Sequence, residues 1–211
     1  MLAELDRQKQ AFNQNKEELA AGMNQLSKQV EEVKKANYVT LDILKARDLS
    51  MEVEARRAKG EEFDRTRVEQ TIAKLERYAQ EDPINRILHI VLANLHYELG
   101  KIEIAVEILQ KFIKAREEAN QAQDDDVATA WFNLACYYAE LAGIEKDDKA
   151  KEVGIKKAAE TLEQCFAVAI KASKSVFAIH VKRAEDDPDL AILRARNLLG
   201  DIIERVKNTG G

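Results

Sequence analysis

The stretch that decides the fold is Ile87–Lys114, "ILHIVLANLHYELGKIEIAVEILQKFIK", where apolar residues recur every three or four positions on both sides of one glycine. This spacing is typical of two amphipathic helices. We expect the first helix over about residues 84–99 and the second over about 102–119. Gly100 lies at the turn, because glycine readily adopts the left-handed conformation that ends a helix. The stretch therefore predicts a helical hairpin with almost no loop.

Helical patterns also flank this hairpin. An amphipathic helix is predicted over about residues 66–80, before Pro83, which cannot continue a helix. After the hairpin, a polar connector leads to a helix over about 127–142. The segment "GIEKDDKAKEVG" then predicts a surface insertion, with or without a short helical turn, followed by a helix over about 155–174. The last helix is expected from about 188 to 207.

The composition supports an almost wholly helical chain. Among 211 residues there are only 8 glycines and 2 prolines, and 34% of the residues are charged. A net charge of −5 gives no reason to expect nucleic acid, since that affinity comes mainly from Lys and Arg on phosphates. No apolar run reaches the roughly 20 residues that span a bilayer. The two cysteines, Cys136 and Cys165, are expected to be buried reduced thiols, consistent with a cytoplasmic location.

Residues 2–40 follow a seven-residue repeat of apolar side chains, which is typical of a coiled coil. Lys9, Lys16 and Asn37 interrupt one of its two apolar columns. Two alternatives stay open, because the helix could instead pack along its own domain, and the seam also suits a linker from a longer coiled coil. The residues predicted to mediate self-association are Leu5, Phe12, Leu19, Met23, Leu26, Val30 and Val33.

Two central hairpins align with each other, and their matching residues Leu92 and Leu134 are 42 positions apart. "WFNLACYY" resembles the first helix of a tetratricopeptide repeat, and "LANLHYELGKIEIAVEIL" resembles its complete hairpin. In this family a small alanine lets the antiparallel helices approach closely. The resemblance covers about residues 68–206. It includes a degenerate first unit, with Thr71 in place of the small alanine, and a C-terminal run similar to the variant that closes such arrays.

The resemblance implies a right-handed superhelix of hairpins with a concave groove that binds a peptide or helix of another protein. Asn94 and Asn133 stand where carboxylate-clamp members of the family hold a peptide C-terminus, but Ile90 replaces their lysine. We therefore expect an internal peptide or a docked helix. The implied groove residues are Ile87, Ile90, Asn94, Tyr97, Glu98, Thr129, Phe132, Asn133, Cys136 and Glu140. Ile90, Phe132 and Cys136 have an alternative role in packing against neighbouring helices.

No catalytic or metal-binding motif is visible in the sequence. His89 and His96 share a helical face, but they lie about 10 Å apart by helix rise, too far to share one metal. The acidic runs at Asp124–Asp126 and Glu185–Asp189 lack the glycine spacing of an EF-hand, so we interpret them as connectors and caps. The prediction is a protein without enzymatic activity, cofactor or metal.

The sequence thus predicts an all-α chain in three parts: a long helical arm over residues 1–60, a tetratricopeptide-like domain over 61–207 and a disordered tail over 208–211. The predicted function is a protein-binding adaptor that also forms homo-oligomers through the arm. The alternative is a structural coiled-coil oligomerisation segment of a larger protein, with or without a membrane anchor.

Overall fold

The computed structural model describes the backbone of residues 2–209 and the side chains of residue 16 and residues 18–209. Over this range the chain contains helices and no strand, so the all-α prediction is confirmed. The elements are α1 Leu2–Ala58, α2 Arg65–Glu81, α3 Arg86–Glu98, α4 Ile102–Glu118, α5 Asp125–Ile144, α6 Asp148–Ala172, α7 Lys174–Asp186, a 3₁₀ turn Pro188–Leu190, α8 Ala191–Ala195 and α9 Leu198–Thr209.

The chain divides into two compact units, of which the first ends at Lys45 and the second begins at Ala46. Helix α1 supplies all of the described backbone of the first unit, and its last turns belong to the second. Within residues 2–209, no helix combines the length and the apolar character that crossing a bilayer requires.

The predicted central hairpin is formed by α3 and α4. Asn85 is the N-cap of α3. Its side-chain oxygen accepts a hydrogen bond from the backbone N–H of Leu88 at 3.1 Å. Gly100 ends the hairpin's first helix with φ of +76°, a conformation that costs a residue with a Cβ atom more than it costs glycine. The N–H of Lys101 then reaches back to the carbonyl of His96 at 2.9 Å, which closes the turn.

The connection between α5 and α6 is shorter than the sequence suggested. The predicted surface insertion over residues 143–154 was wrong in its extent, since α6 already begins at Asp148. The reason is a local cap: the Asp147 carboxylate accepts a hydrogen bond from the N–H of Ala150 at 2.8 Å. Most of the expected insertion therefore forms the first two turns of α6.

The single helix predicted over residues 188–207 was also wrong. The segment contains the 3₁₀ turn, α8 and α9, and the break before α9 comes at Asn197, whose φ is +60°. Asparagine tolerates this left-handed conformation better than most residues, so it can interrupt a helical pattern without a glycine. Helix α9 continues to Thr209, while Gly210 and Gly211 of the predicted tail lie outside the described residues.

The core of the second unit lies among α3 to α9, and from α2 to α7 each helix packs against the next. The most extensive contact joins α5 and α6, and α5 buries side chains on nearly all of its sides. Four small residues of the two aligned hairpins are fully buried, as close helix packing requires: Ala93, Ala105, Ala135 and Ala158. At Gly154 the approach is closer still, because a Cβ atom built there would lie 2.9 Å from the Cβ of Ala142.

The three histidines are all buried and have packing roles. His89 stacks on Phe112 with ring centroids 5.4 Å apart, and the Nε2 atom of His180 lies 3.0 Å from the carboxylate of Asp125. His96 lies 3.5 Å from Glu76, but the pair lacks hydrogen-bond geometry. Burial lowers the pKa of each imidazole, because it disfavours the charged form.

Candidate functional site

A polar cleft lies beside helices α3 and α5 of the second unit. Its other walls are the last turns of α1, the C-terminal part of α7 and the turn that follows it. The cleft contains two adjoining cavities of about 260 and 380 Å³, which share Glu54, Tyr97, Glu98, Asp187 and Asp189 as lining residues. We call this surface the α3–α5 cleft and define it by the residues that border these two cavities.

Most of the groove residues predicted from the sequence border this cleft. They are Ile90, Asn94, Tyr97, Glu98, Thr129, Asn133, Cys136 and Glu140. Ile87 is half-buried on α3 and does not border either cavity. Phe132 is fully buried against His180, with ring centroids 5.8 Å apart, and so offers no surface to a ligand. The structure therefore brings the polar members together and places Phe132 in the core.

Asn94 is the centre of the polar contacts in the cleft. Its Oδ1 atom accepts hydrogen bonds from the hydroxyl of Tyr137 at 2.6 Å and from the amide of Asn133 at 3.3 Å. Among the described residues, neither Asn94 Nδ2 nor Asn133 Oδ1 has a hydrogen-bond partner. One donor and one acceptor thus remain for a ligand, which is the pair of groups that a peptide amide needs.

Three flat groups form a stack that closes one side of the cleft. The rings of Tyr97 and Tyr137 are stacked with centroids 4.8 Å apart, and the Arg57 guanidinium lies 5.1 Å from the Tyr97 ring centroid on α3. Arg57 also contacts the carboxylate of Glu98 at 3.3 Å. The last turn of α1 is therefore held against α3 by a cation–π contact and an ion pair.

Negative charge dominates the cleft. Five carboxylates border it, but only two guanidinium groups, those of Arg57 and Arg183. Burial, reinforced by the charge of Asp187, raises the pKa of Asp189 to about 6 despite a hydrogen bond from the Tyr97 hydroxyl at 3.3 Å. Burial also raises the pKa of Glu98, although Arg57 opposes this shift. The cleft is thus suited to a positively charged group.

Sequence reasoning missed the residues that close the cleft from outside the two hairpins. Glu54 and Arg57 belong to α1, whereas Asp187 and Asp189 belong to the turn after α7. The segment containing Asp187 and Asp189 was noticed, but only as a connector and a helix cap. The cap is present, since Asp187 Oδ1 accepts from the N–H of Asp189 at 3.0 Å. Their position opposite α3 depends on long-range packing that no local pattern indicates.

The predicted self-association residues lie on α1 in the first unit. All those with described side chains are exposed, with 44% to 68% of each side chain accessible: Leu19, Met23, Leu26, Val30 and Val33. Leu5 and Phe12 lie outside the residues whose side chains are described. An uninterrupted helix thus presents a row of exposed apolar side chains at heptad spacing.

Comparison with known proteins identifies no relative. No family model, no curated protein and no solved structure matches this chain. The function of the cleft is therefore inferred from its own side chains.

Proposed function

We propose that this chain is a non-enzymatic adaptor of the tetratricopeptide type, which binds a peptide or helix of another protein at the α3–α5 cleft. The superhelix of hairpins is part of this proposal. Its support is the left-handed Gly100 at the hairpin turn, the buried alanines of both hairpins and the contacts between successive helices. The cleft lies on α3 and α5, which correspond to the first helices of the two aligned hairpins.

The observation that carries the proposal is the arrangement of Asn94 and Asn133. One amide from each hairpin meets at 3.3 Å and leaves a donor and an acceptor for a peptide backbone. Four carboxylates border the same cavity as this pair, and Glu140 borders the adjoining one, so the bound segment is expected to contain Lys or Arg. A charge-assisted hydrogen bond from such a side chain is stronger than one between neutral groups.

A library of displayed random peptides, selected on the immobilised full chain, tests this function. We expect enrichment of peptides that contain Lys or Arg. A variant with Asn133→Ala and Glu140→Gln should bind an enriched peptide roughly tenfold more weakly or worse, equivalent to about 1.4 kcal/mol, as measured by calorimetry. This variant keeps the hydrogen bond from Tyr137 to Asn94, so folding should be preserved.

The matched control replaces Gln110 and Gln164 by alanine. These amides border a different cavity, among α4, α5 and α6, and should leave binding unchanged. If no peptide is enriched, or if the cleft variant binds as well as the control variant, the adaptor proposal is rejected.

The exposed row on α1 favours a second function, which is structural. We propose that Leu19, Leu26 and their apolar neighbours pair with the same residues of a second copy, so that the arm assembles the protein. Isolated apolar residues on a surface are common, but five at heptad spacing on one helix are typical of a coiled-coil seam.

Sedimentation equilibrium of the full chain tests this assembly. We expect a particle larger than one chain, and a variant with Leu19→Glu and Leu26→Glu should sediment as a monomer, because paired carboxylates cannot be buried in the seam. The control variant, Ala21→Glu and Gln25→Glu, adds the same charge off the heptad seam and should keep the larger mass. Equal particle masses for the seam variant and the control variant would contradict assembly through the apolar row on α1.

A further inference from the structure

Three side chains that can ligate a metal meet in the α3–α5 cleft. Cys136 comes from α5, whereas Asp187 lies between α7 and the 3₁₀ turn and Asp189 lies within the 3₁₀ turn. Their sulfur and carboxylate oxygen atoms all lie within 4.8 Å of one another. Two elements that are distant in the chain therefore place one thiol and two carboxylates around one point, and all three residues border the smaller cavity.

The Cys136 thiol is the most informative member of this group. Its residue is only 5% exposed, it forms no disulfide, and no hydrogen bond to its sulfur is found among the described residues. Burial raises its pKa well above the ordinary value, and the charges of Asp187 and Asp189 raise it further, although the charge of Arg183 opposes them. The sulfur lies within 4.8 Å of a carboxylate oxygen of each aspartate, and a metal ion among the three atoms would bind them together.

Both carboxylates are held in place and each keeps a free oxygen. Asp187 uses Oδ1 to cap the 3₁₀ turn, and Asp189 uses Oδ2 to accept from the Tyr97 hydroxyl. The other oxygen of each accepts no hydrogen bond from the residues whose side chains are described. Arg194 anchors the turn itself, because it donates to the carbonyl of Asp187 at 2.7 Å and to that of Ala184 at 2.8 Å. Such supporting contacts orient ligands before the ion arrives.

We propose that Cys136, Asp187 and Asp189 bind a divalent transition-metal ion of the zinc class. Zinc accepts sulfur and oxygen ligands together, whereas calcium and magnesium take oxygen ligands. The ligand atoms would draw in to roughly 3.5 Å from one another around a tetrahedral ion. The thiol loses its proton to solvent as the sulfur–metal bond forms. The fourth position faces the cleft and is available to water or to a ligand side chain.

This site departs from the expectation of a metal-free protein, and the reason is physical. Metal motifs that are recognised in a sequence depend on ligands close together in the chain, whereas here α5 and the turn after α7 meet only in the folded protein. The proposal does not depend on peptide binding, so the two can fail separately.

Titration of the full chain with Co²⁺, followed by competition with Zn²⁺, tests the site. We expect one equivalent of Co²⁺ to produce the near-ultraviolet charge-transfer absorption of a thiolate–cobalt bond, and Zn²⁺ to abolish it. Cys136→Ala should lose this absorption. Cys165→Ala should keep it, because Cys165 is equally buried but is not a member of the three-ligand group.

Asp189→Asn provides a second, milder variant, since its amide oxygen can still accept from Tyr97. It should bind Co²⁺ roughly tenfold more weakly or worse, with unchanged circular dichroism. If Cys136→Ala does not fold, the Co²⁺ affinity of Asp189→Asn tests the metal site instead. Absence of the absorption in the unaltered chain, its survival in Cys136→Ala, or unchanged affinity in Asp189→Asn would each overturn the proposal.

Discussion

Replacing Phe132 by alanine should lower the free energy of unfolding by about 3–5 kcal/mol, the usual cost of removing a buried aromatic side chain. Phe132 is fully buried, its ring packs against His180, and the guanidinium of Arg183 lies 4.1 Å from its centroid. Alanine would leave a cavity among groups that cannot collapse around it. Urea unfolding followed by circular dichroism measures the loss.

Ile90→Ala is the matched control for Phe132→Ala. Ile90 is only half-buried and borders the cleft, so its truncation should cost clearly less, about 1 kcal/mol. The difference between the two stability losses distinguishes a core side chain from a surface side chain. Both residues had been predicted to line one groove. A Phe132→Ala protein with nearly unchanged stability would mean that the ring lies at the surface.

Gly154→Leu should destabilise the protein by about 3 kcal/mol, because an interior without free space does not accept added atoms. Even a Cβ atom at this position would lie 2.9 Å from the Cβ and 3.3 Å from the Cα of Ala142. Helices α5 and α6 would have to move apart at this contact. For the same reason Gly154→Ala should destabilise, although alanine favours a helix by about 1 kcal/mol relative to glycine.

A double-mutant cycle identifies the contact responsible. Ala142→Gly removes the facing Cβ, so Gly154→Ala should cost clearly less stability in the Ala142→Gly background than in the unaltered chain. Gly143→Ala is the control, because a Cβ at Gly143 meets no atom within 4 Å. It should leave stability unchanged or raise it slightly. Equal effects of alanine at Gly143 and at Gly154 would contradict the proposed close approach.

Local features of the fold were predictable where single residues determine the backbone. Gly100 and Gly60 both adopt positive φ at the ends of predicted helices, and α2 ends just before Pro83. The predicted helix boundaries were wrong where a polar residue starts or interrupts a helix. Asp147 starts a helix inside a segment that looked like a loop, and Asn197 breaks a pattern that looked continuous. Whether an aspartate caps a helix, or an asparagine adopts the left-handed conformation, depends on neighbouring backbone groups in the folded chain. The spacing of apolar residues in the sequence does not contain this information.

The site was predictable only in part, and α5 shows why. Eleven of its residues are buried, so apolar spacing does not reveal which side faces a cleft. The resemblance to the repeat family indicated which positions of α5 face the groove, and Asn133 was among them. The same positions included Phe132, which lies in the core. Arg57 and Asp189 could not be assigned, because their contacts with Tyr97 join segments 40 residues or more apart.

The two hydrogen bonds that Asn94 Oδ1 accepts have a consequence for the affinity of the cleft for a ligand. Two donors hold its side-chain oxygen, which fixes the orientation of the whole amide. Immobilising a side chain on association costs about 0.5–1.5 kcal/mol, and here that entropy is lost during folding. A ligand would therefore meet a rigid receptor, so that even a few contacts in a cavity of about 260 Å³ can be selective.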